Sequence, residues 1–310
     1  MKHPTKSIVS DANKVLKRYI YKREAEEAAA RFRTLPDGRR CILRFSPGQR
    51  IEHAILLTSV SILSLTGLAQ AYSTVPIAML VLNLLGGIES VRQFHHFFAI
   101  VLVVQSVYHV LSFLRGFWRG EPIPKIIPTR GDLGDVFQML RLNLGISQKY
   151  PRFDRYNFEQ KADYWGLLIG VIVLGITGLM QWFPIATTYY LPGWVIPVGR
   201  VIHKWQAVFL VTVMITWHLY HSCIKKLNTS IFTGMMSLED MQSEHPLELA
   251  YLDHAAALTN NSTWPVLVEI PLEEMSEPIV EIMETHPPTA TEETEKDFVP
   301  ETATETIGEA

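Results

Sequence analysis

Arg200-Val-Ile-His203-Lys-Trp-Gln-Ala207-Val-Phe-Leu-Val-Thr-Val-Met-Ile-Thr-Trp217-His218-Leu-Tyr-His221 is apolar enough to cross a membrane, and it carries a histidine near each end. His203 and His218 are 15 residues apart. On one helix that separation is roughly 22 Å. Two such histidines either ligate groups near opposite faces of a bilayer or sit at the two interfaces and ligate nothing. The rest of the chain decides between these.

Three further stretches have the same character, Ile51 to Tyr72, Phe94 to Phe117 and Asp163 to Phe183, with Val201 to Cys223 as the fourth. Each is long enough to span a bilayer. The 310 residues are 48% hydrophobic with a mean hydropathy of +0.12, a modest value because polar segments flank the spans. Residues 1–50 have no apolar core, so the first span is expected to act as its own insertion signal. Cys41 and Cys223 lie in no Cys-x-x-Cys or Cys-x-x-Cys-His setting. That argues against a covalent c-type haem, a zinc ribbon or an iron–sulfur site on this chain, and no disulfide is expected.

The expected organisation is a basic N-terminal segment (1–48), a four-helix transmembrane domain (49–226) and an acidic, mostly disordered C-terminal tail (227–310). Within the first segment, Asp11 to Arg33 carries a weak apolar stripe suited to a surface helix. Val75 to Leu85 is apolar but too short to cross. Leu133 to Leu144 is an amphipathic run expected to lie at the membrane interface, and lipid is an expected partner. Glu284 to Ala310 reads as disordered. Thr263 to Pro271 reads either as a strand docking on a partner or as flexible extension.

The membrane region resembles itself. Gln49-Arg-Ile-Glu-His53 leads to Thr66-Gly67, and Gln160-Lys-Ala-Asp-Tyr164 leads to Thr177-Gly178, at a constant offset of 111. Arg92-x-x-His95 matches Arg200-x-x-His203 at an offset of 108. The expected fold is therefore an all-α membrane protein, a four-transmembrane-helix bundle built from two repeated helix hairpins. Equivalent residues then face each other across a pseudo-two-fold axis. His95 faces His203, and His109 comes close to facing His218.

Of the 28 Lys and Arg residues, 13 lie in residues 1–50, nine between Arg115 and Lys161, and two at Lys225 and Lys226. The positive-inside rule then makes both termini cytoplasmic. His53, His109, His218 and His221 fall at the inner end, and His95, His96 and His203 at the outer. Ionisable residues within a membrane are costly and mark function. Histidine is the usual axial ligand of b-type haem, and bis-His ligation draws one residue from each of two facing helices. Arg92, Arg200 and Lys204 beside the outer pair, and Arg50 at the inner end, are positioned to neutralise haem propionates. Gly67 and Gly178 remove bulk where a flat macrocycle or a neighbouring helix presses.

These residues resemble a known family, the di-haem b-type membrane cytochromes that serve as gamma subunits of formate dehydrogenase, with relatives in nickel–iron hydrogenases and thiosulfate reductases. The resemblance covers about residues 44–226. It rests on Arg50-x-x-His53 with Thr66-Gly67, Arg92-x-x-His95, Glu159-Gln-Lys161-Ala-Asp-Tyr164-Trp165, and His203 followed by Trp217-His218. It implies two bis-His haems b carrying electrons between a menaquinone or ubiquinone pool and a partner subunit with iron–sulfur or multihaem c-type centres. His95 and His203 match one ligand pair, and His53 and His218 the other. The repeat instead pairs His218 with His109. His53 is the better match through its Arg-x-x-His motif, and His109 and His221 then line a quinone site or hold a third haem.

Quinone chemistry also moves protons. Glu159, Lys161, Asp163, Tyr164, Tyr220 and His221 are candidates for that relay, with a solvated helix start as the alternative for the first three. Two other functions remain open from the residues alone. One is a haem-free membrane anchor or transporter-like scaffold, although the spans lack the broken helices and midplane polar site of transporters. The other is metal handling by the inner histidines. Nucleic acid is not an expected partner.

Overall fold

The computed structural model describes residues 25–119 and 124–257. Four helices are long and apolar enough to cross a membrane, Pro47–Ala71, Ile88–Trp118, Phe158–Trp182 and Val195–Ile224. The first is α1 (Pro47–Ala71). Ser46 closes a capping box with Gln49, and Pro47 occupies the first turn, where a backbone N–H has no intrahelical partner. A short helix, α2 (Pro76–Leu84), leads into α3 (Ile88–Trp118). A further helix follows, α4 (Arg130–Asn143), capped by Thr129 and Asp132. Then comes α5 (Phe158–Trp182), started by an Asn157–Gln160 capping box. The short α6 (Pro184–Tyr190) precedes α7 (Val195–Val213). That helix runs on through two π-helical turns, Met214–His218 and Tyr220–Ile224.

Among these helices the most extensive packing is α1 on α3 and α5 on α7, with α1 also touching α7. Each long helix leaves apolar side chains exposed, such as Leu57, Val104, Ile172 and Phe209, on the faces that lipid solvates. The expected spans are recovered, with α3 beginning six residues before Phe94 and α7 six before Val201. Hydropathy marks the hydrocarbon core, whereas the backbone ladder continues into the interface.

The segments flanking the bundle meet at its His53 end and build a small sheet there, the one sheet among the described residues. Strands β1 (Phe32–Thr34), β2 (Arg40–Leu43) and β3 (Met235–Ser237) pair antiparallel in that order. Phe32 lies opposite Ile42, and Cys41 opposite Ser237. The β1–β2 turn follows from Pro36-Asp37-Gly38, with Gly38 at φ 82° and Asp37 accepting from the Arg39 N–H. Then α8 (Ser230–Thr233), α9 (Leu238–Glu244) and α10 (Pro246–Ala257) follow the last span. Residues 230–257 hold short helices and a strand, within the segment 227–310 expected to be mostly disordered. The stretches Thr263–Pro271 and Glu284–Ala310 lie outside the described residues, as does most of the expected surface helix Asp11–Arg33, of which residues 25–29 are helical. Both cysteines are free thiols.

Residues 30–249 form one compact unit, and residues 25–29 fall with 250–257 in another. In the larger unit a buried ion cluster ties three distant segments together. Glu248 accepts from Arg31 at 2.9 Å, Arg44 at 2.8 Å and Arg155 at 2.9 Å. Arg44 and Arg155 also exchange hydrogen bonds, each guanidinium donating to the other's carbonyl oxygen. They are 111 residues apart. Burial opposes the charge of Glu248, but Arg155, Arg31 and Arg44 outweigh it and hold the carboxyl down at about 2. Burial, and then Arg44, lower His245 to about 4. Its Nδ1 lies 2.7 Å from the Asp154 carbonyl oxygen and its Nε2 3.0 Å from Arg44 Nη2. Both contacts suit a neutral ring protonated at Nδ1.

Candidate functional site

At the other end of the bundle His95 on α3 faces His203 on α7, with ring centroids 6.4 Å apart and planes crossed at 70°. Each ring is held the same way. Thr66 on α1 donates its hydroxyl to the Ile62 carbonyl at 2.7 Å, so the oxygen is left to accept from His95 Nδ1 at 2.9 Å. Thr177 on α5 donates to Val173 at 2.7 Å and accepts from His203 Nδ1 at 3.0 Å. A proton on Nδ1 leaves the Nε2 lone pair free to ligate. The neighbouring glycines make room. A Cβ on Gly67 would stand 3.1 Å from His95 Cε1, and one on Gly178 would stand 3.2 Å from His203 Cε1.

This geometry suits an axial ligand pair. Metal–imidazole bonds are about 2.0 Å and a ring centroid lies about 1.1 Å behind its nitrogen, so opposed imidazoles on one metal have centroids about 6 Å apart. The cationic residues expected here sit at helix ends. Arg92 pairs with both oxygens of Glu89, at 2.9 and 2.8 Å. Lys204 Nζ lies 4.3 Å from the Tyr72 ring centroid, and Arg200 is exposed. His96 stacks on Trp182 at 3.9 Å.

The His53 end is built differently. His53 on α1 and His218 in the first π turn lie within electrostatic reach of one another. Phe232 of α8 covers His53, with ring centroids 6.4 Å apart. His218 Nδ1 lies 3.2 Å from Asp163 Oδ2, which again leaves Nε2 open. His109 is in a different state. Its Nδ1 is 2.7 Å from Glu52 Oε2 and its Nε2 is 2.9 Å from the Tyr164 hydroxyl. Both ring nitrogens are engaged, so no lone pair remains for a metal. His221 is tied back to the Trp217 carbonyl through Nδ1 at 2.9 Å, with Nε2 3.5 Å from Glu159. Arg50 has a buried Nε without a hydrogen-bond partner.

The relay candidates therefore divide. Glu159, Asp163 and Tyr164 each contact a histidine at this end, and Tyr220 rests edge-on against His221 at 5.1 Å. Lys161 does not join them. It is buried and gives Nζ to both oxygens of Asp132 on α4, at 2.7 and 2.9 Å. Among the described residues, no group of three or more His, Cys, Asp or Glu could hold a metal ion by itself, so the metal-handling reading gains no support. Glu52, Thr66, Thr177 and Phe232 were given no role in the sequence reading. Three had a signal available. Thr66 and Thr177 share the offset of their glycines, and Glu52 is the counterpart of Asp163.

Known proteins with similar sequences point the same way. The chain is 24% identical over 210 residues to the cytochrome b556(fdo) subunit of formate dehydrogenase from Escherichia coli K12, an alignment covering 66% of this chain and 90% of that protein. It is 23% identical over 167 residues to the subunit of the nitrate-inducible enzyme of the same strain, covering 54% and 72%. The formate dehydrogenase cytochrome b556 subunit of Haemophilus influenzae is 23% identical over 209 residues, covering 66% and 81%. Residues 44–237, which include every histidine described above except His245, match the family of prokaryotic cytochromes b561. The protein is a multi-pass membrane cytochrome b of electron transfer and belongs to the prokaryotic cytochrome b561 family.

Proposed function

We propose that this cytochrome holds two haems b, one between His95 and His203 and one between His53 and His218, and links a membrane quinone to a partner redox subunit. The observation that carries the reading is the His95–His203 pair, 6.4 Å apart with each Nδ1 bonded to a threonine. His218 is best matched with His53, because Glu52 and Tyr164 occupy both nitrogens of His109. For the same reason His109 is not a ligand of a third haem. Haem b bound at these pairs supplies one-electron iron redox chemistry.

The chain's own residues do the rest. Thr66, Thr177 and Asp163 orient three of the four ligating rings. Arg92, Arg200 and Lys204 at one end, and Arg50 at the other, offer positive charge to propionates. Phe232 rests edge-on against His53. At the His53 end, a groove of about 560 Å³ runs along α1 and α3, lined by Ile51, Ile55, Ile100 and Val104 with Glu52, Gln105 and Tyr108 as its polar members. A quinone reaching it from the bilayer meets Glu52, which passes hydrogen bonds through His109 to Tyr164. Glu159 and His221 form a second pair able to hold a proton. The excess of Lys and Arg flanking this end supports a cytoplasmic side for it and for both termini.

The partner is a separate polypeptide carrying iron–sulfur or multihaem c-type centres. Similarity to formate dehydrogenase cytochrome subunits favours the iron–sulfur kind. Replacing His203 with alanine in the full-length protein should remove one b haem and leave the other in the reduced-minus-oxidised spectrum. Retention of both haems would refute the assignment.

A further inference from the structure

The two threonine hydroxyls at the His95–His203 pair are more than packing. Thr66 is 1% exposed and Thr177 6%. A threonine in a membrane helix satisfies itself by donating to the carbonyl one turn back, and both do so. That bond fixes the hydroxyl hydrogen and turns the oxygen's lone pairs sideways. Each lone pair meets an imidazole Nδ1, at 2.9 and 3.0 Å. The helix backbone therefore acts through the hydroxyl to set the histidine tautomer. The same arrangement occurs twice, on α1 and on α5, with a glycine next in sequence in both. Gly67 and Gly178 leave the ring edge free while the threonine holds it. The two rings are locked at a 70° crossing.

We propose that Thr66 and Thr177 are positioning residues that lower the reduction potential of the haem held by His95 and His203. The inference rests on the reading of that pair as axial ligands. An acceptor on Nδ1–H makes the imidazole a stronger donor to iron and favours the ferric state. Losing either hydroxyl weakens that donation and raises the potential of this haem alone. Valine has the shape of threonine without the oxygen, and serine restores the oxygen without the methyl group.

The test is a redox titration of the full-length protein in detergent, followed optically and by ferric low-spin electron paramagnetic resonance. The variants are Thr66→Val, Thr177→Val, both together, Thr66→Ser and Thr177→Ser. Each valine variant should shift one haem to higher potential, the double variant further, with the second haem unmoved. The serine variants should return to the wild-type value. The low-spin signal of the shifted haem should also change as its ring planes relax. If a valine variant loses the haem, retention in the serine variant supports the proposal, and equal loss in serine overturns it. Unchanged potentials with full haem content overturn it, as does a shift of both haems together. A wild-type protein without haem overturns the ligand reading itself, and the proposal with it.

Discussion

His109 and His218 sit in the same local setting and differ in one neighbour. Each directs Nδ1 at a carboxylate, Glu52 in one case and Asp163 in the other. The residue offered to the far nitrogen of His109 is Tyr164, whose counterpart at an offset of 111 is His53. A tyrosine hydroxyl closes the ring nitrogen that a second histidine would leave open to iron. The His109→Gln variant should therefore keep both haems, since glutamine still bonds Glu52 and Tyr164. His53→Gln should lose one. Haem per chain, measured on both purified variants, checks this, and loss of haem from His109→Gln would restore His109 as a ligand. The juxtaposition of His95 and His203 was legible in the sequence from the repeat and the resemblance together. The sequence favoured His53 over His109 through its Arg-x-x-His motif, but spacing shows which residues meet and not which nitrogens are already satisfied. The threonines stood out as repeat anchors but not as acceptors for histidine, because a threonine in an apolar helix reads as neutral filler.

The last transmembrane helix carries the most informative irregularity. Its histidines are 15 residues apart, whereas His95 and His109 are 14 apart. The extra residue between His203 and His218 is absorbed where the helix widens into the π turn at Met214–His218. A π turn inserts one residue without breaking the helix, and such turns gather at functional sites. Deleting Thr216 should remove the inserted residue and let the segment revert to α-helix with the phase of His218 kept. The expected result is retention of both haems, read from the difference spectrum. Loss of the haem at the His53 end would show that the π turn does not absorb one residue. The spans themselves were evident from hydropathy, and α4 from its amphipathic period. The π turns were not, since their one trace was a spacing of 15 against 14. The sheet was also missed. Pro36-Asp37-Gly38 announces the β1–β2 turn, but β3 comes from the far side of the bundle sequence.

Across the larger unit, the elements outside the membrane are joined by charge. Arg44 and Glu248 are 204 residues apart, and each side chain is only 2% exposed. No local pattern could have paired them, which is why the segment after the last span was read as mostly disordered. Removing the one carboxylate would leave Arg31, Arg44 and Arg155 facing each other, and breaking such a buried pair typically costs about 3–5 kcal/mol. Glu248→Ala should lower the thermal midpoint in detergent and loosen Phe232 from His53. The pH dependence has a definite sign. His245, lowered from 6.5 to about 4, stabilises the fold fully above pH 6.5, and this contribution falls as pH drops from there towards 4. Glu248, lowered from 4.5 to about 2, adds stability above pH 4.5 that is lost as pH falls towards 2. Both act in one direction, so thermal midpoints should be flat near pH 7 to 8 and decline progressively below about 6.5. A midpoint that rises on acidification would contradict this. The claim on which all else depends is that four histidines on three helices hold two haems. Pyridine haemochrome analysis of the purified full-length chain, scaled to protein by amino-acid analysis, measures it directly. The account predicts two haems b per chain, and a ratio near zero, one or three would contradict it.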